Sequence, residues 1–136
     1  MKNKGTTLVE IMIATLIFTV ALAALLGCVT AILYLVDTSR EQAVAISDLR
    51  TIMERIRATS FSNIPVQFPD GVADGGGINP YDQIVSGTGN YSLSAEQITV
   101  TYTDVNADPL EIRVTVSWQD KRGGAQSVSA STFRTR

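Results

Sequence analysis

From Ile11 to Val36 the chain carries no charged residue. That is about 26 positions, or roughly 39 Å of helix at ~1.5 Å per residue, against a bilayer core of ~30 Å. Such a run is long enough to span a membrane. Lys2 and Lys4 precede it, and Asp37, Arg40 and Glu41 follow it. The two lysines favour an N-inside orientation, which puts the rest of the chain beyond the inner (cytoplasmic) membrane, in the periplasm or outside. A secretory signal peptide has an apolar core of about 7–15 residues followed by a small-residue cleavage site, and this run is too long and lacks one. A single-span anchor fits the length but gives no reason for Glu10, because an acid at the centre of a bilayer costs ~2.5–3.5 kcal/mol and less near its edge.

A third reading supplies the acid with a partner. Cleavage after Gly5 would make the amine of Thr6 the new N-terminus, four residues from Glu10. A cation there opposes the helix macrodipole. A carboxylate from a neighbouring copy would neutralise it in a low-dielectric setting, where a charge pair counts for more than in water. Glu10 then acts as an assembly residue.

The stretch MKNKG followed by TTLVEIMIATLIF resembles the N-terminus of type IV pilins and pseudopilins. That family pairs a short basic leader and a glycine with an apolar pair, an acid and an unbroken hydrophobic helix. Gly5 matches the glycine before the cut, Leu8 and Val9 the apolar pair, and Glu10 the acid. The resemblance implies removal of residues 1–5 by prepilin peptidase and N-methylation of Thr6. It also implies that an inner-membrane assembly platform builds the helices, with other pilin or pseudopilin subunits, into a helical filament: a pilus, a type II secretion filament or a DNA-uptake filament. Two positions depart from the pattern: Thr6 stands where the family usually has phenylalanine, and Gly27 where major pilins carry a helix-bending proline. The missing proline, the absence of a disulfide, the small domain and its Trp-bearing penultimate strand are more like a minor subunit.

Beyond Val36 the helical pattern becomes amphipathic. Ala45, Leu49, Ile52 and Ile56 form one stripe, widened by Ile46 and Met53, with Arg50, Glu54 and Arg57 on the wet side. Ser60, Ser62, Asn63 and Pro65 end it. A helix from Thr6 to about Ala58 would be roughly 80 Å long. The alternative is two helices broken near Asp37. The expected organisation is therefore a leader (1–5), an apolar transmembrane or filament-core helix (6–36), its amphipathic continuation (37–58) and a globular domain (59–136).

Residues 66–90 read as a mobile surface loop dense in Gly, Asp, Asn and Pro. Asp70, Asp74, Asn79 and Asp82 are the residue types of a calcium loop, but their spacing fits no EF-hand pattern. The triple glycine lacks the GK[ST] of a phosphate loop. From Tyr91 the period becomes two, with strands expected near 91–93, 97–104, 111–119 and 127–133. Ile98, Val100, Tyr102, Ile112, Val114, Val116 and Trp118 share the apolar face of an antiparallel sheet, which the helix stripe covers. DVNADPL and DKRGGAQ are the turns, with Lys121 and Arg122 at a hairpin tip. The fold class expected is α+β, pilin-like: a long N-terminal helix packed on a small antiparallel sheet.

Composition narrows function further. The 136 residues carry a net charge of −2, so no basic face recommends nucleic acid as a partner. The chain has no His, and its one cysteine, Cys28, lies in the apolar run. The common nucleophilic and metal arrangements are thus missing, and Asp104 with Asp108 reads as turn chemistry. The expectation is a structural subunit with no catalytic residue, cofactor or metal. The alternative is an uncleaved single-span anchor presenting an extracytoplasmic binding domain.

Overall fold

The computed structural model describes residues 7–76, 81–85 and 93–136, apart from the side chain of Asp82. Gly5, Thr6, Asn79 and Tyr91 lie outside the described residues, as does that side chain. Helix α1 runs Leu8–Ala58. It is followed by a 3-10 turn at Phe61–Asn63 and two short helices, α2 at Ile64–Gln67 and α3 at Tyr81–Val85. The strands are β1 (Ser94–Tyr102), β2 (Leu110–Gln119) and β3 (Ala125–Arg134). They form one antiparallel sheet in the order β1-β2-β3. The fold is α+β, a long N-terminal helix packed against a small antiparallel sheet.

The chain divides into two compact units, 1–38 and 39–136. In the first, α1 is helical through Gly27, with open space around that residue. Every Leu, Ile, Val, Met and Phe from Leu8 to Val36 is at least 45 % exposed.

In the second unit one core joins helix and sheet. Ala45, Leu49, Ile52, Met53 and Ile56 meet Ile98, Val100, Tyr102, Leu110, Ile112, Val114, Val116 and Trp118, and Ile64, Phe68, Tyr81 and Leu93 fill the flank. Burial alternates along β2 because successive side chains point to opposite faces. Fully burying a side chain such as Ile112 contributes about 1.5–3 kcal/mol. Ile46, expected on the helix stripe, is instead 43 % exposed. At ~100° per residue it falls just past the edge of the buried arc. Glu41 and Asp48 are buried on that arc, at 5 % and 7 % exposure.

α1 ends at Ala58 as expected, but helical structure resumes around Pro65. Pro65 occupies the first turn of α2, where its missing N–H costs nothing, so irregular chain begins near Phe68 rather than at 66. The expected surface loop is also partly structured. The N–H groups of Gly71 and Asp74 donate to the carbonyls of Val100 (2.8 Å) and Ile98 (2.7 Å), and Ala73 bridges Thr99. Residues 71–74 therefore seal the outer edge of β1. Tyr81 is fully buried and stacks on Phe68, with ring centroids 5.8 Å apart.

Strand limits differ from expectation for local reasons. β1 stops at Tyr102 because Asp104 turns the chain, its carboxylate accepting the Asn106 N–H at 2.9 Å. At the next turn the Asp120 carboxylate accepts the N–H groups of Arg122 (2.9 Å) and Gly124 (2.7 Å). Gly123 takes the left-handed conformation that closes it, with φ 80°. That tight closure lets pairing begin at Gln119 with Ala125, two residues earlier than the pattern of β3 suggests.

Candidate assembly site

The N-terminal turn of α1 holds the acid that the sequence makes conspicuous. Thr7 stands at the N-cap: its Oγ1 accepts the Glu10 N–H at 3.3 Å, and its carbonyl accepts the N–H groups of Glu10 (3.0 Å) and Ile11 (3.3 Å). Thr7-Leu8-Val9-Glu10 is thus the Thr-x-x-Glu pattern of a capping box, with the threonine half of its bonds formed. Sequence reasoning missed Thr7, although that spacing was the signal. Glu10 also lies where negative charge suits the helix dipole. Leu8, Val9 and Glu10 are all exposed, and the Glu10 carboxylate has no hydrogen bond or ion pair among the described residues.

Beyond Glu10 the segment presents an apolar surface whose polar groups are internally satisfied. Thr15 Oγ1 donates to the Met12 carbonyl at 2.9 Å, Thr19 to Leu16 at 2.8 Å and Thr30 to Gly27 at 2.9 Å. Their hydroxyls need no water, so threonine is tolerated in a medium that offers no hydrogen bonds. Cys28 is exposed and free in the same stretch. By length and mean hydropathy (2.6 over its most apolar window) α1 is able to cross a membrane. An exposed apolar surface of this extent marks a membrane or protein contact.

The acids of residues 70–74 do not converge. Asp70 Oδ1 accepts the N–H of Tyr102 at 3.0 Å, and Asp74 Oδ1 accepts that of Ile98 at 2.8 Å. Those two amides are four residues apart on β1, about 13 Å at ~3.3 Å per residue. The carboxylates stitch the strand edge at separate points instead of framing one ion. Among the described residues no cluster of three or more His, Cys, Asp or Glu is placed to hold a metal.

Two further acids meet inside the second unit. Register slips between Ser94 and Gln97, and Ala95 has a φ of 49°, the marks of a bulge. In the middle of that bulge is Glu96, which hydrogen-bonds the Asp48 side chain. Burial holds the Asp48 carboxyl above its ordinary range, and the bond to Glu96 only partly offsets this. At the other end of β1, the Tyr102 hydroxyl donates to the Phe68 carbonyl at 2.6 Å. Its pKa is raised by burial first, then by Tyr81 and Asp70. Trp118 is a core residue, 4 % exposed.

Comparison with protein-family models, curated sequences and solved structures found no match to this chain.

Proposed function

We propose that the chain is a pilin-like structural subunit, of the minor kind, in a type IV pilus or a related secretion or DNA-uptake filament. The observation that carries this reading is an apolar helical surface, exposed at every Leu, Ile, Val, Met and Phe from Leu8 to Val36, headed by a carboxylate with no partner among the described residues. Before assembly that surface lies in lipid, with the 39–136 unit on the far side. In the filament, neighbouring helices replace the lipid tails. Apolar burial is nearly the same in both settings, so the exchange is close to balanced and a motor elsewhere drives it. Cleavage after Gly5 exposes the Thr6 amine, and Glu10 of an adjacent subunit neutralises it. An unpaired acid in the filament core costs several kcal/mol, so the pair fixes register.

A second reading has its own observation. The Thr7 cap and the helix dipole give Glu10 a purely local role, which suits an uncleaved anchor carrying a binding domain. Mass spectrometry of the membrane-extracted chain separates the two. A chain starting at Thr6, one methyl heavier if modified, supports the filament subunit, and an intact Met1 alongside an active prepilin peptidase supports the anchor. Glu10→Ala should abolish incorporation into filaments while leaving membrane insertion intact. Normal incorporation of that variant removes the charge-pair mechanism.

A further inference from the structure

The two edges of the sheet are treated differently. β1 is closed by residues 71–74, through two backbone bonds, a bridge and the carboxylates of Asp70 and Asp74. β3 is the other edge strand, and it pairs with β2 along its whole length from Ala125 to Arg134 in unbroken register. About half of its backbone groups, roughly five N–H and five C=O, point away from β2. The strand has no proline, no lysine and no bulge, the devices that usually guard an edge.

Beside that edge lies a groove of about 460 Å³ between α1 and β3. Its floor is the buried pair Leu49 and Met53, its helix wall carries Arg50, Glu54 and Arg57, and Ala130 and Ser131 form its strand side. Arg50, Glu54 and Arg57 are exposed. From Lys121 to Arg136 the chain contains no acid and four bases. Pairing of β3 with a second β3 would set these basic ends against each other in either orientation, which disfavours a second copy as occupant. An acidic strand suffers no such repulsion.

We infer that the β3 edge and its groove accept a fourth strand from a different polypeptide: an extended segment, apolar at alternate positions and carrying carboxylates between them. Its backbone continues the ladder beyond β3. Its alternate side chains point to opposite faces, so the acidic row lies on the α1 side, facing Arg50 and Arg57, and the apolar row lies on the open face of the sheet beside the exposed Phe133. This inference stands apart from the filament reading, since it concerns only the 39–136 unit.

The test uses the full chain in detergent micelles and a capped ten-residue peptide of alternating valine and glutamate, with a valine–lysine peptide as its counterpart. The acidic peptide should shift and protect the backbone amides of residues 125–134 at concentrations below about 1 mM. The double variant Arg50→Glu with Arg57→Glu, both exposed positions, should weaken that binding at least about tenfold and improve binding of the basic peptide. The inference is overturned by no binding at that concentration, by equal binding of the two peptides, by shifts confined to β1 and residues 70–76, or by protection of β3 through self-association without peptide.

Discussion

Asp74 offers a sharp test of how the sheet is finished. Its Oδ1 accepts the Ile98 N–H at 2.8 Å, and Ile98 is fully buried. Its own backbone is left-handed, with φ 53°. Asp74→Ala removes the acceptor and leaves a buried amide unsatisfied, at about 1–3 kcal/mol. It also forces a Cβ residue without a local hydrogen bond into the left-handed region, at roughly 1–2 kcal/mol. The expected loss is therefore about 2–5 kcal/mol. Asp74→Gly loses the acceptor but not the conformation, so its loss should be about 1.5–4 kcal/mol once the greater freedom of the unfolded chain is included, below that of alanine. Asp74→Asn keeps an acceptor oxygen and tolerates the same φ, and should cost less than about 1 kcal/mol. Urea unfolding followed by Trp118 fluorescence measures all three as shifts in midpoint at constant slope. If alanine lies within about 0.5 kcal/mol of the parent chain, or asparagine is as damaging as alanine, then Asp74 does not hold the edge of β1.

Two further predictions concern ionisable groups in the core. The raised pKa of Asp48 means that the folded chain holds this proton more tightly than the unfolded one, so the contribution to stability is full below the ordinary value of 3.8 and is lost as pH rises through the higher folded value. Asp48→Asn cannot ionise, and its gain in urea midpoint should be larger at pH 7 than at pH 4; equal gains would remove the buried-acid explanation. Tyr81 is fully buried, burial pushes its pKa up to about 12, and its hydroxyl has no partner among the described residues. Tyr81→Phe should be neutral or stabilising by up to about 1 kcal/mol, and a loss of that size in thermal or urea unfolding would mean the hydroxyl is bonded.

The periodic parts of the chain were legible, and the parts held by single contacts were not. Alternation along Ile112, Val114, Val116 and Trp118 announces a half-buried strand, and the structure buries all four. The stripe of Ala45, Leu49, Ile52 and Ile56 is equally plain, but pattern alone could not place its limits. Ile46 falls outside it while Asp48 falls inside, hydrogen-bonded to Glu96, a residue that a strand bulge brings near and that sequence spacing cannot locate. Residues 70–74 looked like loop because their composition is that of turns. Their order comes from bonds to amides 24 and 32 residues away, a separation no local rule reaches. At the N-terminus Glu10 stands out by its charge, whereas Thr7, three residues before it, stands out only as the other half of a helix start.

Every residue of α1 that is buried lies at Glu41 or later. The packing that defines the 39–136 unit therefore owes nothing to what surrounds Leu8–Val36. A change of solvent for that stretch leaves every interior contact of the folded unit in place, so under the proposed filament reading a subunit would pass between lipid and filament as finished cargo.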